Sequence, residues 1–164
     1  MEKIFFSTIG QDSHRISHEK NKSLILGGII FDSDFSLEAN SDGDVVLHAI
    51  TNAVSGATGV NVLGSMADRM CKNGITDSQK YLEEALSFMD DNMNIVYASI
   101  SIEAARPKFA TKIIEMRNSI AKMLNLPPRQ VTITATTGEG LTECGKGNGI
   151  FVTAILSFSR TINT

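Results

Sequence analysis

Residues Gln130 to Thr137 alternate strictly: Val131, Ile133 and Ala135 on one side, Thr132, Thr134 and Thr136 on the other. A period of two is met only by an extended strand with one face buried and the other open. A Gly-rich stretch, 138–149, leads from it into a second strand-like run, 150–158. Two successive strands with no helix between them exclude a purely alternating β-α-β order. Upstream, strands and helices do alternate. Residues 3–9 and 24–31 predict strands, the latter interrupted by Gly27 and Gly28. Val45, Leu47, Ala49, Ile50, Ala53 and Val54 predict a largely buried helix over 44–56. Thr76 and Gln79 form a capping box ahead of a helix over 77–90. Residues 94–103 read as a strand. Pro107 starts a helix over 107–125, which Pro127-Pro128 closes. The expected fold class is α+β: a mixed β-sheet with helices on one face.

The 164 residues fit one domain, 1–164. The hydrophobic fraction of 42% and charged fraction of 20% argue against global disorder. A net charge of −3 excludes a basic nucleic-acid footprint. Cys71 and Cys144 are too few for a disulfide scaffold and suit a reducing compartment. No apolar run reaches the ~18–20 residues that span a bilayer. The N-terminus lacks the form of a signal peptide. The expected location is the cytoplasm.

The chain has three histidines. Asp12 and His14 are two apart, so on an extended segment they point to the same side. His48, on the first predicted helix, supplies a third donor from across the fold. Two imidazoles and a carboxylate with an open fourth position suit a catalytic Zn²⁺. Asp44, four residues before His48, is placed to orient that imidazole. The spacing equally fits a histidine satisfied within the core. His18, followed by Glu19 and Lys20, reads as a solvated loop residue.

Three further segments invite an anion. Ser41-Asp42-Gly43-Asp44 precedes a helix, as an anion site or as plain capping. Gly140 to Lys146 fits G-x-x-x-x-G-K, but residue 147 is Gly and a strand follows, unlike a nucleotide-binding P-loop. A Gly-rich turn with a phosphate-facing Lys146 fits as well, with Thr136, Thr137 and Glu139 beside it. Arg106 and Lys108 place cations at the predicted helix start, against the helix dipole, which suits either an anionic ligand or a solvated basic turn.

Together these segments resemble the 2-C-methyl-D-erythritol 2,4-cyclodiphosphate synthase family of the non-mevalonate isoprenoid pathway. The resemblance rests on Gly10-Gln11-Asp12-Ser13-His14-Arg15, Ser41-Asp42-Gly43-Asp44-Val45-Val46-Leu47-His48-Ala49, Arg106-Pro107-Lys108, Ala135-Thr136-Thr137-Gly138-Glu139 and Gly145-Lys146-Gly147-Asn148-Gly149. It implies a homotrimer with its sheets around the three-fold axis and active sites between subunits. It implies zinc at Asp12, His14 and His48, and Mg²⁺ or Mn²⁺ at Glu139 with the substrate diphosphate. Ser41, Thr136 and Thr137 would contact phosphate, with Thr137 at the position credited with transition-state stabilisation. The segment from Ala104 to Ala110, including Arg106, Pro107 and Lys108, would hold a cytidine nucleotide. The implied activity is that of a phosphorus–oxygen lyase releasing CMP from a cytidine-diphosphate-linked substrate.

The chain departs from that pattern at four places. Asn40 replaces a usual histidine, also at a position assigned to transition-state stabilisation. Residues 59–70 lack the family's phosphate-contacting motif, so no contacts carry over there. Glu143 replaces an aromatic and Lys146 an arginine, both facing the trimer channel by resemblance. These departures keep a second reading open: a trimeric relative that binds zinc and a cytidine nucleotide or diphosphate as a regulator.

Overall fold

The structure, a computed structural model, describes residues 2–162. The chain order is β1 (Glu2–Ser17), β2 (Leu24–Leu26), β3 (Ile29–Phe31), β4 (Ser36–Leu37), α1 (Val45–Thr58), α2 (Ser65–Lys72), α3 (Ser78–Ser87), β5 (Met93–Glu103), α4 (Ile113–Met123), β6 (Val131–Thr136) and β7 (Gly149–Ile162). Five strands form one sheet in the order β4-β1-β7-β5-β6, while β2 and β3 pair separately. Only β5 and β6 run parallel, joined by the crossover through α4; the other pairs are antiparallel. The sheet is mixed and the class is α+β, as the sequence predicts.

The sheet's two faces differ in kind. Inward point Ala98, Ile100, Ile102, Val131, Val152, Ala154, Leu156 and Phe158, all buried. Helix α1 lies on β1 and β7, and α4 lies on β6. Outward point Phe5 at 70% exposure, Ile9 at 60% and Ile155 at 43%, interleaved with Ser7, Ser157 and Thr153.

The approach of α1 to β1 is set by Gly10. A Cβ there would lie 2.1 Å from the Ala49 carbonyl oxygen and 2.3 Å from the Ala53 nitrogen, both helix backbone. Thr8 Oγ1 donates to the Ala53 carbonyl at 2.6 Å, and Asn52 Nδ2 donates to the Gln11 carbonyl at 3.0 Å. Strand and helix are therefore fixed in spacing and register where each carries a candidate ligand.

Several expected boundaries move. Strand β1 runs to Ser17, well past the predicted end at residue 9, because Gly10 through Arg15 continue the pairing with Ala154 through Gly149. Helix α2 lies within 59–70 and beyond, where no helix is predicted; none of its residues is buried. The cap of α3 is Asp77, whose carboxylate accepts from the Gln79 amide at 2.8 Å; Thr76 does not fill that place. The fourth helix starts at Ile113, not Pro107. Phe109 is buried against Phe31, with ring centroids 5.7 Å apart, and its carbonyl accepts from the Lys112 and Ile113 amides, so the helix grows only after that anchor. Among the described residues, no helix is long and apolar enough to cross a membrane.

Candidate metal centre

Asp12 and His14 stand on the inward face of β1, opposite Val152 and Ile150. His48 stands on the first turn of α1, 7% exposed. Gly10 lets the two elements close, and three donor atoms meet. His48 Nδ1 lies 2.9 Å from Asp12 Oδ2, His14 Nε2 lies 3.1 Å from the same oxygen, and the two nitrogens are 3.0 Å apart.

The surrounding hydrogen bonds fix which ring nitrogens face inward. His14 Nδ1 lies 2.9 Å from the Glu38 carbonyl, which only accepts, so Nδ1 carries the proton and Nε2 offers its lone pair. His48 Nε2 lies 2.9 Å from Ser78 Oγ and 3.4 Å from Ser41 Oγ. Three lone pairs this close repel one another unless a proton or a cation sits among them. Donors held at ~2.0–2.2 Å by a tetrahedral ion lie about 3.3–3.6 Å apart, a few tenths of an ångström beyond the present spacing. The donor set and its convergence therefore fit a divalent metal. Burial works to raise the Asp12 pKa, but the two imidazoles outweigh it and hold the carboxyl well below its ordinary range, so it is a carboxylate.

These ligands form one wall of an open cavity of about 620 Å³. Asn40, Ser41, Leu63, Ala67, Asp68, Cys71 and Tyr81 line the rest. Asn40 is exposed there, and its carbonyl accepts from Cys71 Sγ at 3.3 Å. Helix α2 contributes Ala67, Asp68 and Cys71, so the 59–70 segment, which lacks the family's phosphate-contacting motif, nevertheless borders the candidate site.

Asp44 does not orient His48, contrary to the i, i+4 expectation. It caps α1, accepting from the Val46 and Leu47 amides at 3.1 and 3.0 Å and from the Gly27 and Gly28 amides at 2.8 and 2.7 Å. A cap's carboxylate folds back onto the first helical turn and cannot reach along the helix. Ahead of Ser41, Ser78 makes the shorter of the two side-chain contacts to the outer nitrogen of His48. Sequence reasoning passed over it; the only signal was its place beside a helix cap.

The remaining predicted residues gather elsewhere. Ala104 donates its amide to the Thr136 carbonyl at 3.0 Å, and the Ala105 amide donates to the Cys144 carbonyl at 3.1 Å. The segment Ala104–Lys108 thus lies beside the loop holding Thr136, Thr137, Glu139 and Lys146. None of these residues lines the metal cavity. Glu139 is exposed with φ 49°, ψ 30°, a left-handed conformation that costs about 1–2 kcal/mol outside glycine. The Thr137 hydroxyl accepts from the Glu139 amide at 3.3 Å. Lys146 pairs with Glu143 at 2.8 Å on the surface. Arg106 lies over the Phe35 ring, 4.6 Å from its centroid, and 3.7 Å from Asp34. Arg106 and Lys108 therefore precede the α4 start by several residues, and the expected conflict with its dipole does not arise. His18 is exposed, as expected.

A model of the YgbB family matches residues 5–159. The 2-C-methyl-D-erythritol 2,4-cyclodiphosphate synthase of Chlamydia abortus (strain DSM 27085 / S26/3) is 48% identical over 156 residues, covering 94% of this chain and 89% of the relative. The synthase of the same name from Chlamydia caviae is 46% identical over 162 residues, covering 98% and 92%. Among solved structures, the bifunctional IspDF from Campylobacter jejuni superposes with a TM-score of 0.87 at 27% identity. That match covers 98% of this chain but 43% of the bifunctional one. A CDP-bound 2C-methyl-D-erythritol-2,4-cyclodiphosphate synthase superposes with a TM-score of 0.81 at 26% identity, covering 92% and 98%. On the family model over residues 5–159 and relatives nearly half identical over almost the whole chain, the chain belongs to the YgbB family, that of the 2-C-methyl-D-erythritol 2,4-cyclodiphosphate synthases.

Proposed function

We propose that the chain converts 4-diphosphocytidyl-2-C-methyl-D-erythritol 2-phosphate to 2-C-methyl-D-erythritol 2,4-cyclodiphosphate and CMP, a step of isoprenoid biosynthesis. The observation that carries this reading is the meeting of Asp12, His14 and His48 at 2.9–3.1 Å in the wall of a cavity shared with Asn40 and Ser41.

An oxygen of the 2-phosphate attacks the β-phosphorus of the same molecule. The bond from that phosphorus to the bridging oxygen breaks, and CMP departs with the bridging oxygen. The nucleophile is already an anion, so the protein's work is to bend the substrate and align it in line. Zinc at Asp12, His14 and His48, with Mg²⁺ or Mn²⁺ at Glu139, would neutralise phosphate charge and polarise the diphosphate. Ser41, Thr136, Thr137 and Lys146 bind phosphate oxygens. Ala104, Arg106, Pro107 and Lys108 hold the cytidine. Asn40 and Thr137 donate hydrogen bonds to the oxygens that gain charge in the transition state.

The metal cavity and the Ala104–Lys108 segment are separate groups in one chain, which supports a site completed between copies. The assembly that fits is a homotrimer packed through the open sheet face around Phe5, Ile9 and Ile155.

The test is CMP release from the cytidyl substrate by zinc- and magnesium-supplemented protein, beside a His48→Ala control. Turnover lost in the control supports the reading; a zinc-loaded parent that releases no CMP overturns it. Asn40→His then separates a working variant from a regulator. We expect less than about tenfold change in kcat, whereas activity rising from none would favour the regulator.

A further inference from the structure

Ser78 and Asp42 form a chain behind the metal cluster. Ser78 is fully buried at the first turn of α3, a separate element from those carrying the ligands. Its hydroxyl donates to Asp42 Oδ1 and lies 2.9 Å from His48 Nε2. Asp42 is also tied by backbone: Oδ1 accepts from the Asp44 amide at 3.1 Å, and Oδ2 accepts from the Ser78 amide at 3.0 Å. Both carboxylate oxygens thus face N–H donors, which leaves Asp42 as an acceptor.

A serine hydroxyl has one proton to give. Here Asp42 takes it, so the Ser78 oxygen, at 2.9 Å, can only accept from His48; the Ser41 hydroxyl, which accepts from the Gly43 amide, stands farther from the same nitrogen at 3.4 Å and is the weaker contact. The proton of the neutral imidazole therefore sits on Nε2, and the Nδ1 lone pair points at Asp12 and His14. Without Asp42 the same hydroxyl could turn and donate to Nε2, which would put the proton on Nδ1 and block it as a ligand. We infer that Asp42 and Ser78 are positioning residues that commit His48 to the metal-binding tautomer and hold its ring in place. The interposed hydroxyl does the work that a carboxylate does directly behind many ligating histidines. This inference rests on the metal reading of Asp12, His14 and His48.

The test measures zinc affinity of the purified protein by chelator competition. Loss of such an outer partner costs about 10–100-fold in metal affinity, and we expect this for Ser78→Ala. Ser78→Thr, which keeps the hydroxyl, should recover most of it. Asp42→Ala should weaken zinc comparably, and the double variant should be no worse than either single one, because the pair acts as a unit. A second readout needs no variant: in the zinc-loaded parent, the ¹⁵N-coupled ring proton of His48 should sit on Nε2 and exchange slowly, and in Ser78→Ala it should exchange fast. Ser78→Ala zinc affinity within twofold of the parent, or a ring proton on Nδ1, overturns the inference. A parent that fails to bind zinc at all overturns the metal reading itself, a result distinct from an unchanged variant.

Discussion

The imidazoles of His14 and His48 meet nitrogen to nitrogen at 3.0 Å, Nε2 to Nδ1, with their rings inclined by 62°. Both inward nitrogens are aimed by outer partners, so the repulsion between them is built into the fold. A bound divalent ion should turn that repulsion into cohesion. At free zinc 1,000-fold above its dissociation constant, the folded chain gains about 4 kcal/mol. Stripping with a chelator should lower the melting temperature by roughly 8–16 °C for a chain of this size, and zinc should restore it. Superimposable melts with and without zinc would count against the metal centre.

Gly10 holds β1 against α1 with no room for a methyl group. Gly10→Ala should push α1 outward and carry His48 away from Asp12 and His14. We expect a loss of about 1–3 kcal/mol in stability, as for other overpacked sites, together with weaker zinc binding. Urea melts and zinc titrations on the same variant check both halves. A destabilised variant with unchanged zinc affinity would show that the helix adjusts without moving the site.

Asp44 is wholly buried, and burial pushes its pKa up to about 6, against the amides of Gly28, Leu47 and Gly27 that pull it down. The folded chain then holds that proton more tightly than the unfolded chain, whose carboxyl titrates near 3.8. Its contribution to stability is full below about pH 4 and is lost as pH rises through about 6. The stability of the parent relative to Asp44→Asn should therefore fall by on the order of 3 kcal/mol between pH 4 and pH 7. Denaturant melts of both proteins across that range test it. A difference that is flat, or that grows with pH, would mean the amide donors prevail over burial.

Ile9 is 60% exposed and sits opposite Ile155 on the sheet face away from the helices. If that face joins the copies of the trimer, Ile9→Glu should separate them and stop CMP release while zinc binding persists. Sedimentation equilibrium beside the zinc assay reads both. A variant that keeps a three-chain mass and full turnover would place the interface elsewhere.

The candidate metal cluster was legible because its signals are local: Asp12 and His14 share a strand face by spacing alone, and His48 falls within the buried first half of a helix. The alternation of Val131, Ile133 and Thr134 likewise gave the sheet, since a half-buried strand imposes it. Ser78 was not legible, because it lies 30 residues from His48 and only tertiary packing joins them. Asp44 misled for the opposite reason: helical spacing places it near His48, but a cap's carboxylate is occupied by amides. Helix α2 escaped because it is only eight residues long and starts after Gly64 with no side-chain cap; its apolar stripe of Met66, Ala67 and Met70 is short and only partly buried against the core.

Strand β1 carries the candidate metal ligands at its even positions and the open apolar face at its odd ones. Its length between Ile9 and Asp12 is therefore fixed to the residue. Deleting or inserting one amino acid there would exchange the two sides of everything beyond it, turning Asp12 and His14 out of the cavity while Phe5 and Ile9 stayed in place. Substitutions in this strand can be graded in their effects, but a change of length cannot be, because it separates the chemistry from the surface through which copies would meet.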